Sequence, residues 1–406
     1  MANLKYFLWL TTRKGFQPGD PWQLLQRFGT PEAVYFAEPE EYALAGLPVA
    51  MIRVLEDKSL AGAEEILAGC DRLGIRILTI QDAEYPERLA QIYDPPCVLY
   101  WRGKSLQVDG TLTVGVVGTR SCTPYGTALA GRLGLELARS GAILVSGMAQ
   151  GIDAAGLKGA LQGGGTVVSV LGGGLDLFYP RENRWLYEDV AAAGTIMSEY
   201  PPGTRHEAFH FPIRNRILSG LSMGVAVVEA GQPSGALITA RLALEQNREV
   251  FAFPGPVDAP ASLGTNRLIQ RGEAKLILSA SDLLEEFAPL FPERLRTLDP
   301  LPEEEAKSRL KVAPESPKIK KQKEKEVDKG PQRAYISLSD DPEAFTDDER
   351  DLLLALKRRT LTADDLSEAA QIPARRVLSA LTMLQVRGMV EECPGKRYAA
   401  AVILTS

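Results

Sequence analysis

Arginines beside glycine turns are the residues of this 406-residue chain best equipped for chemistry. Gly118-Thr119-Arg120 ends one apolar run. Phe211-Pro-Ile-Arg214-Asn215-Arg216 sets two guanidinium groups around an amide. Guanidinium forks match phosphate oxygens, and their flat faces stack on bases. Further short turns follow other apolar runs: Ser146-Gly147 to Gly151, Gly172-Gly-Gly174, Glu229-Ala-Gly231 with Ser234-Gly235, and Pro254-Gly255. Glycine there removes side chains and lets backbone N–H groups approach a ligand. If the runs are parallel strands, the turns share one sheet edge, and the helices that follow point anion-favouring N-termini at it. The expected ligand is a polyanion lying across that edge. The plainer readings are tight βα turns for the glycines and a surface ion pair for any single arginine.

Catalytic patterns are poor. No G-x-x-x-x-G-K-[ST] occurs, because Val98 stands where Gly103-Lys104-Ser105 would need its first glycine. Gly115-Val-Val-Gly118 is not G-x-G-x-x-G, which argues against a nicotinamide cofactor. The only histidines, His206 and His210, are four apart, the spacing of a helical metal pair. Phe209, Phe211 and Pro212 interrupt the stretch, so a loop or structural role is expected, with no metal and no cofactor. Neither Ser146 nor Ser234 lies in a G-x-S-x-G elbow. Asp153 and Asp176 are read as helix-start caps.

Composition bounds the rest. Forty-six Lys and Arg against 52 Asp and Glu leave a net charge of −6, so nucleic-acid binding needs a local cluster of cations. Cys70, Cys97, Cys122 and Cys393 lie far apart, which excludes a zinc ribbon and argues against a secreted disulfide scaffold. No apolar run reaches about 18 residues, and no signal peptide is read at the start. A reducing cytoplasm is the expected compartment.

The elements that would position these residues fall into four stretches. Residues 1–70 read as short helices joined by glycine turns, a SAM-like or helix-hairpin-helix module. Trp22 to Phe28 stops at Gly29, and Thr30-Pro31-Glu32 opens the next helix. Residues 71–290 form the next domain, in which apolar runs alternate with amphipathic stretches from about Gly110 to Ala288. The runs begin at Leu112, Ala142, Thr166, Gly224, Val250 and Ala274, and predict an α/β doubly wound parallel sheet. Residues 291–345 include Pro302 to Pro331, proline-bearing and charge-rich, and are expected to be a flexible linker. Residues 346–406 regain helical periodicity. Three helices and a hairpin around Pro394-Gly395 resemble a winged helix, a fold that binds DNA or protein.

At its motifs the chain resembles the DNA-processing protein A family, DprA or Smf. The blocks are Tyr85-Pro86, Asp94-Pro-Pro-Cys-Val-Leu-Tyr100, Val117-Gly-Thr-Arg120, Ser146-Gly-Met-Ala-Gln-Gly151-Ile-Asp153 and Phe211 to Arg216. Tyr125-Gly126, Tyr179-Pro180 with Asn183, Ser198-Glu199, Val228-Glu229-Ala230, Ser234-Gly235 to Thr239-Ala240, Pro254-Gly255 and Gly264-Thr-Asn266 complete them. The resemblance implies an extended Rossmann-like fold. It also implies a non-enzymatic recombination mediator of natural transformation that binds and shields incoming single-stranded DNA. Members displace or cooperate with single-strand-binding protein, load the RecA recombinase, and act as homodimers. The family's pocket arginine lands on Arg120. Gly118, Thr119, Ser146, Gly147, Gly151, Arg214, Asn215, Arg216, Ser234, Gly235 and Thr239 are the expected supporting contacts. One departure is Leu157, where the family commonly has histidine; any catalytic role for that histidine is absent here. The alternative is a nucleoside monophosphate phosphoribohydrolase-like enzyme. Its glutamate after a glycine-threonine pair is missing, since Thr239 is followed by Ala240, Arg241 and Leu242.

Overall fold

The computed structural model describes residues 3–105, 108–292, 295, 335–337, 345–356, 360–387, 389–393, 397–400 and 403–405. The stretch Pro302 to Pro331, and most of the proposed linker with it, lies outside them. Two compact units divide the chain, one ending at Glu315 and the other beginning at Ser316.

Six helices open the first unit: α1 (Leu4–Thr11), α2 (Asp20–Phe28), α3 (Pro31–Phe36), α4 (Pro39–Leu44), α5 (Val49–Leu55) and α6 (Ala61–Leu73). Their limits follow the local chemistry. Gly29, at φ 82°, ends α2, and the Thr30 side chain accepts a hydrogen bond from the Ala33 amide to start α3. Helix α6 runs past residue 70. The buried Phe7, Trp9, Leu24 and Tyr42 of these helices join one core with Val98, Tyr100 and Val114 of the sheet. The helices thus pack as part of this unit.

The sheet has nine strands: β1 (Arg76–Thr79), β2 (Val98–Gly103), β3 (Thr113–Val117), β4 (Ile143–Ser146), β5 (Val167–Leu171), β6 (Thr195–Ser198), β7 (Gly224–Val227), β8 (Glu249–Ala252) and β9 (Lys275–Leu276). Their order is β1-β2-β6-β5-β4-β3-β7-β8-β9. From β6 to β9 every pairing is parallel, whereas β2 pairs antiparallel with both β1 and β6. Every residue of β3, β4, β5 and β7 is buried, as helices on both faces require. All six apolar runs of the sequence contain strands, and β1, β2 and β6 extend the sheet beyond them.

Eight helices follow: α7 (Glu87–Ala90), α8 (Pro124–Arg139), α9 (Ile152–Gln162), α10 (Arg184–Ala193), α11 (His210–Leu221), α12 (Gly235–Glu245), α13 (Leu263–Gln270) and α14 (Ala280–Phe287). Helices α8 and α9 cross closely because a Cβ at Gly134 would strike the Gly156 carbonyl. Leu157 on α9 is fully buried in the core, so the position where the family commonly carries histidine faces packing and not a cavity. The chain leaves β3 toward β4 on one side and β7 lies on the other, so the strand order reverses between β3 and β7. In open α/β sheets ligands bind at such a reversal, outside the carboxyl ends of the strands.

The second unit has helices Asp347–Ala355, Ala363–Ala370 and Ala374–Val386, with antiparallel strands Val390–Cys393 and Arg397–Ala400 as the wing. Thr346 with Glu349 and Thr362 with Asp365 form capping boxes. Leu352, Leu353, Leu366, Val377, Leu381 and Leu384 supply its core. The four cysteines are free thiols. Among the described residues no helix is long and apolar enough to cross a membrane.

Candidate nucleic-acid interface

The reversal between β3 and β7 opens into a cavity of about 600 Å³. It gathers Gly118, Thr119, Arg120, Arg214, Asn215, Ser234, Gly235 and Thr239 from the loops after β3 and β7 and from α11 and α12. A smaller cavity of about 50 Å³ continues it beneath Arg120, lined by Gly147, Gly172, Tyr179, His206 and Phe211 among others.

Each wall has a local cause. Just past β3, Gly118 lies against Ile152 and the Glu229 carbonyl, which a Cβ there would strike. The chain then turns outward, and Arg120 is exposed with its guanidinium carbon 5.1 Å from the Phe211 ring centroid. Among the described residues no carboxylate pairs with it. Helix α12 begins at the cavity. Ser234 caps it by accepting from the Ala236 amide, and Gly235 is exposed beside it with open space where a Cβ would be. The partial positive charge of that helix end therefore faces the same space as Arg120.

The cavity floor is a buried pair. Arg214 is 5% exposed, and its Nη1 donates to the Val170 carbonyl while its Nε has no partner. Burial lowers its pKa to about 10, although Asp153 beside it pulls the other way. Burial raises the Asp153 pKa against the opposing effects of Arg214 and the Gly147 and Ala149 amides. Those amides donate to Asp153 Oδ2 at 3.1 and 3.4 Å, so Asp153 ties down the turn before α9. Gly147 leaves room for the Arg214 guanidinium, which a Cβ would strike. Gly147→Ala should cost about 1–3 kcal/mol of stability, the usual cost of overpacking, read as a lower urea midpoint. It should also weaken any ligand held over Arg214; an unchanged midpoint would show that the guanidinium has room to move.

Three sequence-derived site residues stand outside the cavity. Arg216, two residues from Arg214, turns to the other side of α11. It is 4% exposed, with Nε 2.9 Å from Asp94 Oδ2 and Nη2 2.7 Å from Glu199 Oε1. Burial works against its charge, but Glu199 and Asp94 outweigh that and hold its pKa above the ordinary value. The expected pair of guanidinium groups is therefore one floor residue and one structural ion pair. Ser146 is fully buried and donates to the Val116 carbonyl at 2.7 Å, joining β4 to β3. Gly151, at φ 78°, lets α9 begin against the carbonyls of Thr119 and Arg120, so it supports the Arg120 loop from behind. Among the glycine turns, Pro254-Gly255 lines a separate cavity of about 520 Å³.

The aromatic wall was not among the expected contacts. Tyr179 stacks on His206 at 5.2 Å between ring centroids and 21° between planes, and lies 5.4 Å from Phe211. His206 Nε2 donates to the Leu177 carbonyl at 2.9 Å, and burial depresses its pKa. His210 begins α11 and stacks on Tyr200 instead. Among the described residues no group of His, Cys, Asp and Glu could hold a metal. Tyr179 and Phe211 were legible only as motif residues; an aromatic one helical turn from an arginine was the available signal.

Comparison with known proteins identifies the family. Residues 76–288, just over half the chain, match the family model for DNA recombination-mediator protein A, and residues 337–396 match the DprA winged helix domain. The DNA processing protein DprA of Bacillus subtilis is 44% identical over 229 residues, 56% of this chain and 75% of its own length. Protein Smf of Synechocystis is 33% identical over 98% of this chain and 99% of its own. The crystal structure of DprA from Streptococcus pneumoniae is similar at a TM-score of 0.54 and 33% identity, over 70% of this chain and 97% of that one. With the sheet, the winged helix and the motifs in agreement along its length, this chain belongs to the DNA recombination-mediator protein A family, DprA or Smf, of DNA-processing proteins.

Proposed function

We propose that this protein binds single-stranded DNA across the cavity at the β3–β7 reversal and acts as a recombination mediator, not an enzyme. The observation that carries the reading is the meeting of an exposed arginine, a helix N-terminus and the rings of Tyr179 and Phe211 at one sheet edge. Phosphates suit the first two and bases the third. Bases can stack on protein rings only when they have left a duplex, so the site should favour unpaired strands. Asp153, the carboxylate lining the cavity, accepts from the Gly147 and Ala149 amides and sits in the field of the Arg214 charge, which leaves it poorly placed as a general base.

Titration of the full chain with labelled single-stranded and duplex oligonucleotides tests this. Single strands should bind more tightly, with affinity falling as salt rises because counterions are released. Equal affinity for duplex would contradict it. Release of free base from nucleoside monophosphates at enzymatic rates would favour the phosphoribohydrolase reading instead.

Family membership supports a wider role, which we propose as follows. As a homodimer in the cytoplasm, the protein would shield incoming strands during natural transformation and load RecA onto them in cooperation with single-strand-binding protein. The proposed organisation is a helical module over residues 1–70, the strand-binding domain over 71–290, a linker over 291–345 and the winged helix over 346–406. In the winged helix, Arg376 is paired with Asp348 at 2.7 and 2.8 Å, while Leu378 and Met383 of the same helix are exposed. Removing residues after 302 should therefore leave single-strand affinity within about threefold, below the tenfold change of a lost charged contact. Loss of binding would move the main site into the winged helix.

A further inference from the structure

We propose that Glu229 is a positioning residue that holds the Arg120 loop in its strand-binding shape. The loop leaves β3 at Gly118 and ends at Thr123, which caps α8. Glu229 stands just past the end of β7 and is 3% exposed. Its backbone carbonyl accepts from the Thr119 amide at 2.7 Å. Its Oε2 accepts from the Thr123 amide at 2.9 Å, and its Oε1 from the Thr123 hydroxyl at 2.5 Å. Thr123 Oγ1 accepts in turn from the Gly126 amide at 3.0 Å, and Gly126 leaves room for the carboxylate that a Cβ would strike. One buried residue thus fastens both ends of the stretch from Thr119 to Thr123, with Arg120 and Ser121 exposed between.

A loop fixed in advance loses less freedom when a strand binds. The sign of the effect separates this role from simple electrostatics. A carboxylate close to an anion-binding cavity repels phosphate, so if charge were its whole effect, removing it would tighten binding. Positioning requires the opposite.

The proposal rests on the strand-binding reading of the cavity, and the test separates the two. The full-length chain, E229A, E229Q, R120A and the R120A/E229A double variant are titrated with a labelled single-stranded oligonucleotide at several salt concentrations. E229A frees the Thr123 end of the loop while the Thr119 amide keeps its backbone partner, so Arg120 is no longer fixed in place; binding should weaken by about tenfold and the salt dependence flatten. Added to R120A, it should change affinity by less than about twofold, since both act through one contact. E229Q should recover most of the loss: its oxygen can accept from the Thr123 amide while its nitrogen donates to Thr123 Oγ1. Tighter binding by E229A, or its full loss repeated in the R120A background, would overturn the proposal. An R120A protein that binds like the unmodified chain would instead overturn the reading of the cavity, and the proposal with it. Should E229A fail to fold, Thr123→Val, which removes the hydroxyl that joins Glu229 to Gly126, takes its place in the same cycle.

Discussion

Arg120→Ala should lower affinity for a single-stranded oligonucleotide by about tenfold to a hundredfold, the worth of one hydrogen-bonded charge pair. Arg120 is exposed, lies over the Phe211 face and shares its cavity with the N-terminus of α12. Its loss removes a phosphate partner, so the slope of log affinity against log salt should shrink by about 0.7 for each phosphate released. Because the side chain packs only on a ring at the surface, the urea midpoint should stay where it is. Unchanged affinity with an unchanged slope would show that the strand passes elsewhere.

Arg216→Ala should act on stability. Removing the guanidinium leaves Asp94 and Glu199, whose side chains are 29% and 18% exposed, facing each other across an emptied site. Breaking a buried pair in this way costs about 3–5 kcal/mol, a large part of the roughly 5–15 kcal/mol that holds an ordinary domain together. Urea unfolding should show the loss as a clearly lower midpoint. If the variant folds normally and instead binds single strands poorly, Arg216 contacts the strand, and its placement as a structural residue is wrong.

The contrast between these two arginines shows what the sequence could carry. The doubly wound sheet was legible because β3, β4, β5 and β7 are buried on both faces and so read as unbroken apolar runs. Strand β6 reads Thr-Ile-Met-Ser, two apolar residues between two hydroxyl side chains, and so makes no apolar run. Strands β1 and β2 join by antiparallel pairing, which strand–helix alternation does not announce. In the candidate site, glycine turns marked the carboxyl edge of the sheet where the cavity opens, but not which arginine reaches it. Interruption by Phe209, Phe211 and Pro212 makes a loop or structural role the expectation around the histidines, with no element assigned to the segment from Phe211 to Arg216. Pro212 sits in the first turn of α11, where the missing N–H has no intrahelical partner to lose. Once the segment is a helix, residues two apart face opposite sides, so Arg214 and Arg216 cannot flank one ligand. Tyr179, His206 and Phe211 come from two separate segments brought together by the fold, and neither segment alone shows a stacking surface.

Location of the strand is the claim on which the others depend. An oligonucleotide carrying photoreactive thymidine analogues, crosslinked to the full chain and mapped by peptide mass spectrometry, tests it directly. Adducts should fall on the segments around Arg120, Tyr179, Phe211 and Gly235. Adducts confined to the helices and wing beyond residue 345, with none at the β3–β7 edge, would contradict the account.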